Sequence, residues 1–258
     1  PQAPEGLMVP SMVVKPDYPF PAGVAVALVG GLCENGKKQS PINIEMNVMD
    51  ATLPVLSWEV GTGVSSLRAF EGPEGEGKTL NLVAGKAILA RGGARYELKS
   101  MAFKSPSEHA VAGQKFPLEI QFVHKLEGED AKDLVVSVFC RTVEGSTPFL
   151  TSLSDQLSTL EETPDMNVEL DLEKVALEVL GQTEFTSPTA TNAQSYFEYL
   201  GSLTAAPCTE EVSWIILKNP LRITPSEFDL IKEAVGSEPR ALQSLNGRVV
   251  YDSRMMDP

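Results

Sequence analysis

The side chains best suited to chemistry gather in one short stretch, residues 99–124, which holds both histidines of the chain, His109 and His124. The same stretch carries two carboxylates, Glu108 and Glu119. Histidine is the commonest metal ligand in proteins, and a catalytic zinc bound by histidines alone takes three of them. The two histidines of the whole chain cannot supply such a site.

Two strands joined by a long turn are predicted to position these groups. Residues 101–105 and 118–124 both alternate in polarity, which is typical of strands. Side chains two residues apart share one face of a strand, so Ala102 and Lys104 lie on the same face of the first strand. The second strand places three side chains on one face: Glu119, Gln121 and Val123.

Residues 105–109, Ser-Pro-Ser-Glu-His, and residues 119–124, Glu-Ile-Gln-Phe-Val-His, closely resemble the core of the α-class carbonic anhydrases. In that family the matching sequences are Phe-His-Phe-His-Ser-Pro-Ser-Glu-His and Glu-Leu-His-Leu-Val-His. The family binds its catalytic zinc through three histidines, and at those positions this chain has Ala102, Lys104 and Gln121. The resemblance implies a carbonic anhydrase fold without the metal, so no catalytic residue, metal or other cofactor is expected.

Three further stretches carry the same resemblance: residues 39–44, Gln-Ser-Pro-Ile-Asn-Ile; residues 196–208, which contain Gly-Ser-Leu-Thr-Ala-Ala-Pro-Cys; and residues 240–248, which contain Leu-Asn-Gly-Arg. The similarity spans about residues 33–250. It implies that Lys78 replaces the histidine that shuttles protons. Lysine, with a reference pKa of roughly 10.4, is a poor proton carrier near neutrality.

Several residues that surround the zinc in the family have identical counterparts in this chain, as the resemblance implies. Thr204 matches the gatekeeper threonine, which orients the zinc-bound hydroxide through a glutamate that corresponds to Glu108. His109 and Glu119 also match. We interpret the Thr204–Glu108 pair as a buried hydrogen bond kept for packing, since buried polar groups need partners.

Lys104 is the substitution with the clearest chemical consequence. Its position points into the base of the family's cavity, so its ammonium would stand near the former metal charge, beside Gln121 and Glu108. A buried ammonium is costly unless it is paired. Two hypotheses follow: Lys104 fills the zinc position, or its stem lies along the cavity wall with the amine at the mouth.

Composition limits the class of function. The chain has 258 residues, 42% of them hydrophobic, and a formal net charge of −14. This charge argues against nucleic acid as a partner. No apolar run approaches the ~20 residues that span a bilayer, so no transmembrane segment is expected. Six prolines mark residues 1–30 as an extended arm, and residues 31–258 are expected to form a single domain.

Local patterns predict a mainly β fold: a twisted, mostly antiparallel sheet with short peripheral helices. Strands are expected at Val55–Val60, Leu80–Val83, Ala87–Ala90 and Arg95–Leu98. Leucines at helical spacing predict a short helix within residues 145–162. Residues 168–180 are expected to begin as an edge strand and then become apolar. A last helix is predicted from about Glu227 to Val235, capped by Thr224 and ended by Gly236.

Cysteine usage bears on the compartment. Secreted, periplasmic and lumenal members of the family have a disulfide at the positions of Cys33 and Cys208, and the resemblance implies this pairing here; two buried thiols are the alternative. A disulfide implies an oxidising compartment. The absence of an initiator Met before Pro1 suggests a removed targeting peptide. We expect periplasm, cell exterior or thylakoid lumen, the last named from the family's lumenal members in algae.

Two functions remain open at this stage. The first is an inactive structural or interaction subunit that binds protein partners, for example within a larger membrane-associated complex that is extracytoplasmic or lumenal (photosynthetic). The second is a binder of a small anion, bicarbonate or CO2, or a weak hydratase without zinc, using the cavity at Lys104.

Overall fold

The computed structural model describes residues 31–61, 63–71, 78–128, 133–159, 167–180 and 195–253. The expected proline-rich arm, residues 1–30, lies outside the described residues.

Short helices and many strands follow one another along the chain. The helices are α1 (Leu32–Asn35), α2 (Pro148–Leu157), α3 (Leu172–Leu180) and α4 (Pro225–Val235). The strands are β1 (Asn43–Ile44), β2 (Val48–Met49), β3 (Leu56–Val60), β4 (Ser65–Glu71), β5 (Lys78–Ala84), β6 (Ala87–Arg91), β7 (Ala94–Lys104), β8 (Ala110–Val111), β9 (Leu118–Leu126), β10 (Asp133–Thr142), β11 (Asn167–Leu170), β12 (Tyr196–Ser202), β13 (Glu210–Ile223), β14 (Gly236–Ser237) and β15 (Tyr251–Asp252).

Among the described strands, thirteen join one large sheet with the order β11-β4-β5-β7-β9-β10-β13-β12-β15-β2, while β3, β6 and β14 pair off this path. Most neighbours are antiparallel; β10–β13, β14–β7 and β15–β2 are parallel. The expected mainly β architecture with a mostly antiparallel sheet and short helices is therefore confirmed. β1 and β8 form a separate two-stranded pair.

Alternation on the central strands divides the core into two layers. On β10, Val136 and Val138 face a larger apolar cluster that also contains buried residues of α2, α3 and α4. Val135 and Phe139 face the opposite way, into a smaller cluster with Trp214 and others. Because both faces of β10 are covered, seven consecutive residues from Leu134 to Cys140 are buried, and their sequence is nearly all apolar.

Several predicted elements are confirmed, including the edge strand at the start of residues 168–180, which is β11 at one end of the described sheet. The strands at β3, β5 and β6 and the helix α4, with Thr224 as its cap, match their predictions within a few residues. Arg95–Leu98 and Met101–Ser105 are parts of one strand, β7. The apolar end of residues 168–180 is a helix, α3, because its apolar residues recur at helical spacing and pack into the larger cluster.

Two further features complete the fold. A disulfide joins Cys33 and Cys208, which are 175 residues apart in sequence, with a Cα–Cα distance of 5.0 Å. Within the part of the chain that the structure describes, no helix has the length and apolar character needed to span a membrane.

Candidate functional site

The central strands β7 and β9 bring Ala102, Lys104 and Gln121 close together. On the β7–β9 pair, Ala102 lies opposite Gln121 and Lys104 lies opposite Glu119. On the β9–β10 pair, Gln121 lies opposite Ser137. Residues directly opposite each other in an antiparallel pair point to the same face. Ala102, Lys104 and Gln121, the positions that the resemblance aligns with zinc ligands, therefore share one face of the sheet.

Lys104 is buried at the end of β7, with 6% of its surface exposed. Its Nζ lies 3.7 Å from Oε1 of Glu108, which is 1% exposed. Within the described ranges no hydrogen bond of this amine is found, so the ion pair with Glu108 is its recorded partner. The structure thus places Lys104 inside the protein beside Glu108 and not at an exposed mouth.

Glu108 has a partner on each carboxylate oxygen. Oε2 accepts a hydrogen bond from Nε2 of Gln121 at 2.8 Å, and Oε1 accepts one from the backbone N–H of Arg240 at 3.1 Å. Together with Lys104, these donors compensate the cost of burying a carboxylate. Gln121 and Arg240 lie 13 and 132 residues from Glu108 in the sequence, so only the folded protein assembles these groups.

Gln121 connects two buried carboxylates. Besides Glu108, its Nε2 donates to Oε1 of Glu119 at 3.0 Å. An amide nitrogen carries two hydrogens, and both are used here. The nitrogen of Gln121 is therefore a donor toward the protein and has no lone pair to offer a cation.

Glu119 continues the network to His109. One carboxylate oxygen of Glu119 lies 2.8 Å from Nδ1 of His109 and also accepts a hydrogen bond from Ser137 Oγ at 2.7 Å. Burial alone would raise the pKa of Glu119, but the charge of His109 and the hydrogen bonds from His109 and Ser137 outweigh it and lower the pKa to about 2. Glu119 therefore remains ionised inside the protein.

The other ring nitrogen of His109 contacts the hydroxyl of Tyr199, which in turn contacts Ser40. Nε2 of His109 is 2.6 Å from the hydroxyl of Tyr199, which is 2.7 Å from Oγ of Ser40. Burial raises the pKa of Tyr199 well above its ordinary value, so the phenol stays protonated. A continuous buried chain of polar groups thus runs from Glu108 through Gln121, Glu119 and His109 to Tyr199.

The other residues that the resemblance implied are more loosely connected. Lys78 is the first residue of β5 and pairs with Glu71 on β4, whereas the pairing of β5 with β7 begins one residue later, at Thr79. Thr204 is partly buried after the end of β12. In the described part of the chain, no hydrogen bond joins Thr204 to Glu108, whose two oxygens accept from Gln121 and Arg240 instead.

Arg240 is a residue whose role sequence reasoning missed. Its guanidinium donates to the carbonyl oxygens of Cys33 and Ser40, both at 2.7 Å, and to Oε1 of Gln39 at 2.9 Å. The same residue reaches Glu108 through its backbone. The C-terminal motif contained Arg240, but nothing in its local sequence indicates a contact more than 130 residues away.

The side chains at positions 102, 104 and 121 can be compared with the ligands that a zinc ion prefers. Zinc takes uncharged imidazole nitrogen, thiolate sulfur or carboxylate oxygen in tetrahedral geometry. Ala102 has no donor atom, Lys104 is a cation engaged with Glu108, and the amide nitrogen of Gln121 donates to two carboxylates. Among the described residues no group of three or more His, Cys, Asp or Glu is arranged to hold a metal ion. These residues do not fit zinc.

The free cysteine offers no alternative reactive group. Cys140 is fully buried on β10. Burial, together with the nearby charge of Glu119, raises the pKa of its thiol far above the ordinary range. A thiol that stays protonated is a poor nucleophile and a poor metal ligand.

Comparison with known proteins identifies the family of this chain. The model of the family described as eukaryotic-type carbonic anhydrase matches residues 29–254. The chain is 30% identical over 223 residues to dioscorin DB3L of Dioscorea polystachya, covering 85% of this chain and 76% of that protein. It is 34% identical over 224 residues to a carbonic anhydrase of Neisseria gonorrhoeae, covering 86% and 79% of the two chains.

A solved structure shows the same fold. The crystal structure of dioscorin complexed with ascorbate superposes with a TM-score of 0.71 at 28% identity, covering 88% of this chain and 90% of that one. The expected α-carbonic-anhydrase fold is thereby confirmed. With a family model that matches most of its length, this chain belongs to the eukaryotic-type carbonic anhydrase family.

Proposed function

We propose that this chain is a carbonic anhydrase-like protein that does not hydrate CO2 and serves as a structural or interaction subunit. The observation that carries the proposal is the state of Gln121, whose amide nitrogen donates to both Glu108 and Glu119. Where the family has a zinc-binding nitrogen, this chain has a donor held by two carboxylates. Zinc supplies the difficult step by lowering the pKa of bound water from 15.7 to about 7, and neither glutamine nor lysine does this.

The proposed structural or interaction role is supported by the stable framework of the protein. The large sheet, its two core layers and the Cys33–Cys208 disulfide give a rigid scaffold. A disulfide of this kind persists in oxidising compartments, which supports the periplasm, the cell exterior or the thylakoid lumen. The net charge of −14 favours protein partners over nucleic acid, and a membrane-associated complex is one such partner.

Zinc binding and CO2 hydration test the proposal together. Stopped-flow hydration by the full chain, with and without added zinc, should equal the uncatalysed rate. Isothermal titration should show no tight zinc binding. The matched variant carries Ala102→His, Lys104→His and Gln121→His, which restores three imidazoles on one face and should bind about one zinc per chain. Zinc-dependent turnover by the unaltered chain would overturn the proposal.

A second candidate function follows from Lys104. Its buried ammonium has an ion pair at 3.7 Å and no described hydrogen bond, so the amine retains donors for a small anion such as bicarbonate. In the same hydration assay, a rate above background without zinc, abolished by Lys104→Met, would favour this function. The close carboxylate of Glu108 counts against it, because it already neutralises the amine and repels an anion.

A further inference from the structure

One end of the large sheet exposes a group of apolar side chains that the polar network does not use. We call them the edge patch: Met46 (79% exposed), Val48 (55%), Met49 (55%), Val249 (43%) and Tyr251 (40%). Isolated apolar residues on a surface are ordinary, but a group that lies together on neighbouring strands indicates an interaction site.

Val48 and Met49 form β2, the last strand in the order of the described sheet, and Tyr251 lies on its neighbour β15. Met46 and Val249 lie two residues before these strands. Val48 and Tyr251 are partners across this pair, so their side chains share one face, whereas Met49 points to the other face. The outermost strand therefore presents apolar groups on both of its faces.

Among the described residues, β2 has a strand neighbour on one side only, β15. The N–H groups of Val48 and Asp50 donate to the carbonyl oxygens of Val250 and Asp252, both at 2.9 Å. Alternate residues of a strand direct their backbone groups to opposite sides, so the N–H and C=O of Met49 point away from β15. Within the described residues no hydrogen bond to this outer side is found. Such an edge can accept another strand.

The charged residues beside β2 indicate which kind of strand can pair with its outer edge. The apolar segment is bracketed by two carboxylates, Glu45 and Asp50, in the sequence Glu-Met-Asn-Val-Met-Asp. Hydrogen bonds from Thr52 lower the pKa of Asp50, so it is ionised at neutral pH. A second copy would bring the same two carboxylates and another net charge of −14 against this edge.

We propose that the edge patch binds an extended, alternating apolar segment of a protein partner that is flanked by lysine or arginine residues. The segment adds a strand beside β2, hydrogen-bonds to the backbone of Met49, covers Val48 and Tyr251, and places its basic flanks against Glu45 and Asp50. This inference rests on the interaction role proposed above but not on the loss of zinc. A failed binding experiment would therefore leave the zinc and hydration measurements standing.

Two synthetic peptides serve as probes for the full chain. One has the sequence Lys-Lys-Val-Thr-Val-Thr-Val-Lys-Lys, and the other replaces every lysine by glutamate. Fluorescence anisotropy gives their affinities, and hydrogen exchange follows the amide of Met49. The lysine-flanked peptide should bind and slow exchange at Met49, and the glutamate-flanked peptide should bind at least about tenfold more weakly.

Three variants locate the contact. Val48→Lys should lower the affinity for the lysine-flanked peptide by about tenfold or more. Met49→Pro removes the outward N–H and should lower that affinity by a similar factor. Glu45→Lys should reverse the preference between the two peptides. Val64→Lys is the matched control, because Val64 is 63% exposed outside the edge patch and its change should leave both affinities unaltered.

Three outcomes would overturn the inference. One is equal binding of both peptides, unaffected by Glu45→Lys. Another is absence of binding with the Met49 amide already protected in the monomer, which would mean that the chain covers its own edge. The last is absence of binding with dimers in sedimentation equilibrium that Val48→Lys dissociates, which would mean that a second copy occupies the edge.

Discussion

At the scale of single residues, Gln121 shows how an amide donor compensates two buried carboxylates. Buried carboxylates that lie close together repel each other unless donors reach them. The amide of Gln121 donates to Glu108 and Glu119, and Lys104 adds a positive charge near Glu108. The buried carboxylates of Glu108 and Glu119 thus have partners inside the protein.

His124 is the second histidine, and it has a different environment. It is fully buried against Trp58, and its Nδ1–H donates to the carbonyl oxygen of Phe122 at 2.8 Å. Burial lowers the pKa of His124 from 6.5 to about 4. The folded protein therefore binds this proton only well below the pH at which the unfolded chain does.

This environment predicts a pH dependence of stability. Between pH 6.5 and 4 the unfolded chain binds a proton at His124 that the folded chain does not, so acidification favours unfolding. From pH 7 to 5 the free energy of unfolding should fall by about 2 kcal/mol through this group. Urea denaturation at several pH values measures it.

The matched variant for this prediction is His124→Asn, whose side-chain amide keeps a donor toward Phe122 but does not titrate. Its stability should fall less steeply over the same range. The lowered pKa of Glu119 acts only below about pH 4.5, so it leaves this interval unaffected. Parallel pH profiles for the two proteins would contradict the assignment to His124.

At the scale of elements, α4 stabilises the end of the strand that carries Lys104. The short strand β14 follows α4 directly and pairs with β7 at Phe103 and Lys104. The helix begins with a capping box, in which Thr224 accepts from the N–H of Glu227 and the Glu227 carboxylate accepts from the N–H of Thr224. A local sequence signal thus fixes an element that borders the site.

The capping box gives the prediction at this scale. Thr224→Ala should lower the free energy of unfolding by about 1 kcal/mol, because the first turn of α4 loses its side-chain acceptor. Urea denaturation followed by tryptophan fluorescence measures the loss. Glu233→Ala, an exposed change later in the same helix, is the control and should cost less than about 0.5 kcal/mol. Equal effects of the two changes would argue against the cap.

At the scale of the whole molecule, the two ends of the described chain are bound together near the polar network. Arg248 donates to the carbonyl oxygens of Gln39 and Leu200 at 2.7 and 3.0 Å. Arg240 does the same for Cys33 and Ser40. The disulfide adds a covalent link between this N-terminal segment and Cys208.

Removing the disulfide tests how much this covalent link contributes to the free energy of unfolding. The pair Cys33→Ala and Cys208→Ala should lower the free energy of unfolding by about 4–5 kcal/mol, since the crosslink closes a loop of 175 residues in the unfolded chain. Denaturation with and without reductant provides the control: reductant should destabilise the unaltered chain and leave the variant unchanged. An unshifted midpoint after verified reduction would contradict this expectation.

The range of an interaction along the chain decides whether neighbouring residues predict it. Alternation, helical spacing and the Thr224 cap are local, so strands such as β3 and helix α4 were predictable from neighbouring residues. Residues 172–180 were ambiguous because a short apolar run suits a buried strand as well as a helix. Only packing against the larger core cluster decides for α3.

By itself the sequence determined which groups this protein lacks: a count of two histidines and the residue types Ala102, Lys104 and Gln121 rule out three imidazoles at those positions. Only the tertiary structure decided what the replacements do. It directs the amide of Gln121 to two carboxylates and brings Arg240 to Glu108 in place of Thr204. The physical reason is that a buried charge takes its partners from whatever segments folding brings within hydrogen-bond distance, and those segments are far apart in sequence.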